Sequence, residues 1–130
     1  MDIPNGERRR VMVVDQAGPA RTAVAADLAA RGFEVVLAVD GADALSQWMA
    51  RRADVVIIDV AGPGLPGIEA ASVLKWLDPA VDVILTASPD APASGERRHV
   101  DRFRCFEKPL DLDQLARAMR RESTSHEVQP

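Results

Sequence analysis

The sequence holds a single cysteine, Cys105, so no disulfide can form within the chain. Such sparing cysteine use fits a reducing compartment. No apolar run approaches the roughly 18 residues that a membrane-spanning helix requires. Arg8-Arg9-Arg10 precede an apolar run, but Val11 to Val14 is far too short for a signal segment and Asp15 ends it. The cytoplasm is therefore the expected location, with no membrane partner. An excess of positive charge is also missing: 16 Lys and Arg stand against 20 Asp and Glu, for a net charge of -4 and a pI near 5.1. This balance argues against nucleic acid as a direct partner. The basic pairs Arg51-Arg52, Arg97-Arg98 and Arg120-Arg121 are scattered and read as solvated surface. His99 and His126 have no metal-ligand spacing. There is no internal repeat.

What is present is an ordinary globular balance. Hydrophobic residues make up 47% and charged residues 28% of 130 residues, enough for one core in one domain. Five short apolar runs recur: Val11-Val14, Val35-Val39, Val55-Ile58, Val83-Leu85 and Phe103-Phe106. The first four are nearly continuous and rich in Val and Ile, as strands buried on both faces are. Helix-length stretches separate them. Ala20, Val24 and Leu28 share one face of a first helix, with Gly32 as its C-cap. Asp40 is placed to cap a second helix that carries Ala44, Leu45, Trp48 and Met49. Pro66 opens a third, with Ile68, Ala71, Leu74 and Leu77 as its buried stripe. Asp111 and Gln114 have the spacing of a capping box ahead of Leu112, Leu115, Ala116 and Met119. Trp48 and Trp76 are expected at helix–sheet seams, and Cys105 as a small strand hydrophobe. The segment 88–99 contains Pro89, Pro92 and Gly95 and shows no apolar stripe, so a fourth helix there would be short or irregular. Strand and helix alternate five times, which argues for an α/β fold built on a wound parallel sheet.

In a wound sheet, ligands bind beyond the carboxyl ends of the strands. The first strand runs into Asp15-Gln16, the third into Asp59, the fourth into Thr86 and the fifth into Lys108-Pro109. Two carboxylates, a hydroxyl and an ammonium would then share one rim. Taken singly, each has a plainer reading. A strand-end Asp commonly caps a helix or forms a turn, Thr86 would cap a helix, and Lys108 would be a solvated charge. Together they suit phosphoryl transfer to a carboxylate. Asp59 would attack phosphorus, Asp15 and Asp59 would hold Mg2+, Lys108 would meet a phosphate oxygen, and Thr86 would donate a hydrogen bond. The Lys108-Pro109 bond is a candidate for cis geometry that would re-aim the lysine.

These residues fall into a familiar set of segments. They are Val13-Val14-Asp15, Asp40 to Leu45, Asp54 to Asp59 with Pro63-Gly64 and Gly67, Leu85-Thr86-Ala87, and Lys108-Pro109. With these segments the chain resembles the response-regulator receiver domain of two-component and phosphorelay signalling, over residues 9–121. Residues 1–8 and 122–130 are expected to be flexible termini. The resemblance implies a flavodoxin-like (βα)5 three-layer sandwich with strand order 2-1-3-4-5. It implies that Asp59 is the phosphoacceptor, fed from a phosphohistidine on a sensor histidine kinase or histidine phosphotransfer protein. Asp15, Asp59 and the backbone carbonyl of Ala61 would hold Mg2+, with Thr86 as the switch hydroxyl and Lys108 as the phosphate-binding lysine. The output would be a changed contact with a downstream protein target rather than enzymatic turnover. With no effector domain after residue 121, docking or phosphate relay is the expected mode of action.

Three departures from the family pattern stand out. Gln16 replaces the second acidic residue after the first strand, and its amide oxygen coordinates without a formal charge. Cys105 replaces the aromatic often found three positions before the lysine, although Phe103 lies on the same strand face. Gly62 and Pro66 alter the loop after Asp59. The first departure opens a second reading, a pseudo-receiver that binds partners without productive phosphorylation.

Other chemistries fit less well. Gly62-Pro63-Gly64-Leu65-Pro66-Gly67 matches G-x-G-x-x-G in letters, but its prolines remove two of the N–H groups a pyrophosphate would need. A haloacid-type phosphatase would want an acid where Ala61 stands, and a generic phosphatase assay would detect an enzyme of that kind. Flavin binding of the flavodoxin kind would want a Ser/Thr-rich loop in place of Gln16-Ala17-Gly18-Pro19.

Overall fold

A computed structural model describes residues 9–16, 18–61, 65–89 and 103–119. Five strands form one parallel sheet: β1 (Arg10–Val14), β2 (Glu34–Ala38), β3 (Val55–Asp59), β4 (Asp82–Ala87) and β5 (Arg104–Glu107). Their order is β2-β1-β3-β4-β5, so the chain reverses its winding direction after β2. The interleaved helices are α1 (Pro19–Ala30), α2 (Gly41–Ala50) and α3 (Gly67–Leu77). A C-terminal helix covers residues 112–119. The five apolar runs of the sequence are the five strands, and the strand order is the expected one. The segment 90–102, most of the doubtful fourth helix, and both termini lie outside the described residues.

The sheet is covered on both faces. Met12, Val14, Val56, Ile58, Val83 and Leu85 point to one side and pack with Trp48 of α2 and with Ile68, Ala71 and Leu74 of α3. Val11, Val13, Val55, Ile57 and Ile84 point to the other and pack with Leu28, Leu115 and Met119. The period-2 alternation of a strand thus feeds two cores from continuous apolar runs, which is why those runs are not amphipathic.

Local signals set the helix ends. Asp40 caps α2, accepting the Asp43 N–H at 2.8 Å. Asp111 does the same for the C-terminal helix, accepting from Asp113 and Gln114 N–H groups at 3.1 Å each. Gly32, past the end of α1, sits at φ 102, where residues with a Cβ are strained. At the foot of the sheet, Arg104 pairs with Asp82 at 2.6 Å and donates to the Ala118 carbonyl, while Arg9 donates to the Met119 carbonyl. Two guanidinium groups thereby hold the last described turn of the C-terminal helix by its carbonyls.

Side chains of α2 occupy part of the outer edge of β2. Gln47 Nε2 donates to the Leu37 carbonyl at 2.9 Å, and Asp43 Oδ2 accepts the Val39 N–H at 3.0 Å. Both backbone groups point away from β1, where a further strand would otherwise bond.

Some expected core positions are not core. Met49 is 65% exposed, Trp76 81% and Leu77 36%. Ala20 is exposed as well. The buried stripe of α3 is Gly67, Ile68, Ala70, Ala71 and Leu74, which leaves Trp76 and Leu77 rotated outward. Only Trp48 sits in a seam, with its indole N–H on the Ala53 carbonyl at 3.2 Å. Cys105 stands on strand β5, as expected, with its side chain exposed.

Candidate functional site

The sheet register brings the four candidate residues together at the carboxyl ends of the strands. Asp59 ends β3, and Thr86 of β4 is its direct neighbour in register. Thr86 is buried, at 2% exposure, and its carbonyl accepts the Val60 N–H at 2.9 Å. Asp15 follows β1, which flanks β3 on the other side. Lys108 follows β5, and its backbone N–H donates to the Ala87 carbonyl at 2.8 Å. The Lys108-Pro109 bond is cis.

The lysine bridges the two carboxylates. Its Nζ lies 2.8 Å from Asp15 Oδ2 and 3.3 Å from Asp59 Oδ2. The remaining carboxylate oxygens meet backbone N–H groups: Gln16 N–H donates to Asp15 Oδ1 at 2.8 Å, and Ala61 N–H to Asp59 Oδ1 at 3.3 Å. Both carboxylates are therefore oriented, by side-chain charge from one side and by local backbone from the other.

The electrostatics follow from this geometry. Burial pushes the Asp59 carboxyl above its usual range, and the negative charge of Asp15 adds to the effect. Lys108 and the Ala61 N–H offset it only in part. Partial burial pulls the Lys108 ammonium down, yet its contacts with Asp15 and Asp59 outweigh that and hold it above its ordinary value. With one ammonium for two carboxylates, the site is short of positive charge. A divalent cation would relieve that shortage, and oxygen donors of this hardness suit magnesium. Among the described residues no group of three His, Cys, Asp or Glu could hold a metal. The oxygen donors that the described geometry brings together are the carboxylates of Asp15 and Asp59, a set that magnesium accepts where water fills its remaining positions.

Two residues near the rim had no role in the sequence reading of the site, although Gly67 stood among the segments that carry the resemblance. A Cβ on Gly67 would lie 2.5 Å from the Asp59 carbonyl oxygen and 2.8 Å from Ile58 Cγ2. Only glycine lets α3 start this close to the end of β3. Arg21 of α1 reaches the Ala38 carbonyl at 3.5 Å, and that carbonyl also accepts the Asp15 N–H at 3.1 Å. Nothing in the spacing of Arg21 signals this contact. Gln16, in contrast, is exposed beside Asp15, where the sequence placed it. Cys105 lies on the outer face of β5, and burial together with the charge of Glu107 raises its thiol, so it is not an activated nucleophile. Phe103 packs against the core on the α2–α3 side of the sheet.

Comparison with known proteins adds to this geometry. The family model described as the response regulator receiver domain matches residues 11–120. The transcriptional regulatory protein PrrA of Mycobacterium tuberculosis is 34% identical over 109 residues, which is 82% of this chain and 46% of that protein. The chain thus spans about half the length of such curated relatives. Sporulation initiation phosphotransferase F of Bacillus subtilis is 26% identical over 113 residues, covering 86% of this chain and 91% of its own length. Among solved structures, a CheY-like receiver protein of Methanospirillum hungatei superposes with a TM-score of 0.82 at 18% identity, covering 93% of this chain and 98% of the other. Chemotaxis response regulator CheY4 of Vibrio cholerae gives 0.74 at 24% identity, covering 88% of this chain and 98% of the other. No described helix is long and apolar enough to cross a membrane.

Proposed function

Because the chain belongs to the response regulator receiver family, we propose that it is a phosphoacceptor switch whose Asp59 takes a phosphoryl group from a phosphohistidine. The receiver unit we assign spans residues 9–121. The observation that carries the reading is Lys108 Nζ within 3.3 Å of Asp59 and 2.8 Å of Asp15, at the level of Thr86. In the reaction an Asp59 carboxylate oxygen attacks phosphorus in line with the P–N bond. That bond breaks, and the imidazole leaves with the electron pair and takes up a proton. Lys108 is placed to follow a phosphoryl oxygen, exchanging part of its bond to Asp59 for a bond to phosphate. The Thr86 hydroxyl, one strand over, would donate to another. Magnesium, held by Asp15, Asp59, the Ala61 carbonyl and Gln16, would supply the remaining neutralisation of the phosphoryl oxygens. The donor would be a sensor histidine kinase or a histidine phosphotransfer protein, and the product a shifted population of surface conformations read by a downstream protein in the cytoplasm. This is signalling by a module, not turnover by an enzyme.

The exposed Gln16 amide favours a second reading, a pseudo-receiver that docks without being phosphorylated. Intact mass after incubation with acetyl phosphate and magnesium separates the two. One added phosphoryl group on the wild type, absent from Asp59→Asn, supports the acceptor. No added mass on the wild type at any magnesium concentration, with gain restored in Gln16→Asp, supports the pseudo-receiver.

A further inference from the structure

The loop between β1 and α1 carries Asp15 and Gln16, and among the described residues little holds its far end. Gly18 caps α1 without a side-chain hydrogen bond, and the first turn of the helix contains no acid. The side-chain caps of α2 and of the C-terminal helix, Asp40 and Asp111, have no counterpart here. Thr22 bonds back to the Gly18 carbonyl through its N–H and its hydroxyl, at 3.1 Å each. That closes the first turn on itself but ties it to nothing beyond the cap.

Arg21 makes the outside tie. It is the third residue of α1, and its Nη1 reaches the Ala38 carbonyl at the end of β2. The same oxygen accepts the Asp15 N–H. A carbonyl has two lone pairs, so one acceptor grips both ends of the loop. Among the described residues this is the one hydrogen bond of the Arg21 side chain, and its Nε lies buried without a partner. A buried N–H left unbonded is costly, and an arginine with no task at the rim would escape the cost by turning to water. At 3.5 Å the contact is long, and the charge of the guanidinium sustains it.

We propose that Arg21 is a positioning residue for the rim, clamping the start of α1 to the end of β2 so that the loop holds Asp15 towards Asp59. The geometry stands by itself; the consequence for magnesium rests on the phosphoacceptor reading. Asp15 is held at three points: its N–H by the Ala38 carbonyl, its Oδ1 by the Gln16 N–H and its Oδ2 by Lys108. The first fixes where the residue sits, and the other two fix how its carboxylate turns. Without Arg21 the first turn of α1 is free to swing from β2 and carries the loop with it. The charge of Arg21 acts the other way. A cation near the rim repels magnesium, so deleting charge alone would tighten binding. Positioning and charge therefore predict opposite signs.

NMR on the whole chain reads both. In metal-free protein, Arg21→Ala should speed exchange of the Asp15 amide with water by about threefold or more, the scale of one hydrogen bond. A magnesium titration of the same variant should show affinity weakened by about threefold or more. Arg21→Lys, which still donates a charged hydrogen bond, should recover most of both. With acetyl phosphate as donor, the loss should fall on the magnesium concentration for half-maximal rate rather than on the rate at saturating magnesium. Thermal melts verify that both variants remain folded. Unchanged or slower Asp15 exchange in Arg21→Ala overturns the proposal, because Arg21 would then only compete for the oxygen. Tighter magnesium binding overturns it too, as an effect of charge. So does a fall in the saturating rate at an unchanged magnesium midpoint, which would put Arg21 on the phosphoryl group. If the wild type takes up neither magnesium nor phosphate, the phosphoacceptor reading fails, and Asp15 exchange still decides for or against Arg21.

Discussion

At the scale of single residues, Gln16 and Asp59 carry the sharpest consequences. Replacing Gln16 with Asp puts a third carboxylate beside Asp15 and Asp59. Two unit charges 4 Å apart interact by about 4 kcal/mol at an effective dielectric near 20, and a divalent ion by about twice that, but much of it is lost to desolvation and to repulsion among the carboxylates. Magnesium affinity is expected to rise by about tenfold or more, some 1.4 kcal/mol, as read by an NMR titration of the rim amides. Unchanged affinity would mean that the Gln16 position does not reach the ion. Asp59 makes a different prediction. Its carboxyl is raised in the fold by burial and by Asp15, so the folded state holds that proton more tightly than the unfolded chain does. The ionised form therefore costs stability at neutral pH, and the cost fades as pH falls from the raised folded value to the carboxyl's ordinary value of 3.8. Asp59→Asn is expected to melt higher than the wild type at pH 7, with the difference shrinking by pH 4. Equal melting at pH 7 would show that the bond to Lys108 balances the burial and the repulsion. These two residues were legible in the sequence because each stands where an apolar strand ends. The bridge through Lys108 was not, since it joins positions 93 apart and depends on sheet order.

At the scale of elements, the strands were easier to read than the helix faces. A Val/Ile run bounded by Asp or Lys has one sensible reading. A helix such as α3 has apolar residues on more than half its circumference, and its sequence alone does not decide which ones face the sheet. Gly67 and Ala70 took places on the buried side, and Leu77 and Trp76 were left outside. The deciding fact is the approach of α3 to β3, set at Gly67. Gly67→Ala would push a methyl group to 2.5 Å from the Asp59 carbonyl oxygen, a backbone atom with little room to give. The expected cost is about 1–3 kcal/mol in urea unfolding, the usual range for overpacking. The same variant should also phosphorylate more slowly, because α3 would shift against the strand that carries Asp59. A variant as stable as the wild type would mean that α3 can slide without strain. The caps at Asp40 and Asp111 were visible in sequence because each needs only a residue and its neighbours three positions on. The grips of Arg9 and Arg104 on the C-terminal helix were not, for they join β1 and β5 to carbonyls at the end of the chain's last described helix.

At the scale of the whole molecule, the two faces of the sheet are filled by separate cores, and the site lies at the rim where both meet. Residues from the ends of four parallel strands converge there, as their shared position after apolar runs implies. The two α2 side chains bonded to the edge of β2 have a further consequence. A parallel sheet whose outer strand is open serves as a template on which copies can add without limit, as fibres do. Here Gln47 and Asp43 occupy two of the outward backbone groups at that edge. Gln47→Ala together with Asp43→Ala is expected to shorten the lag of thioflavin-positive aggregation in quiescent, concentrated solution, and an unchanged lag would show that the edge is guarded by other means. An incoming strand finds fewer bonds to make along β2, so a chance encounter of crowded copies at this edge is short-lived and does not seed an unending ribbon.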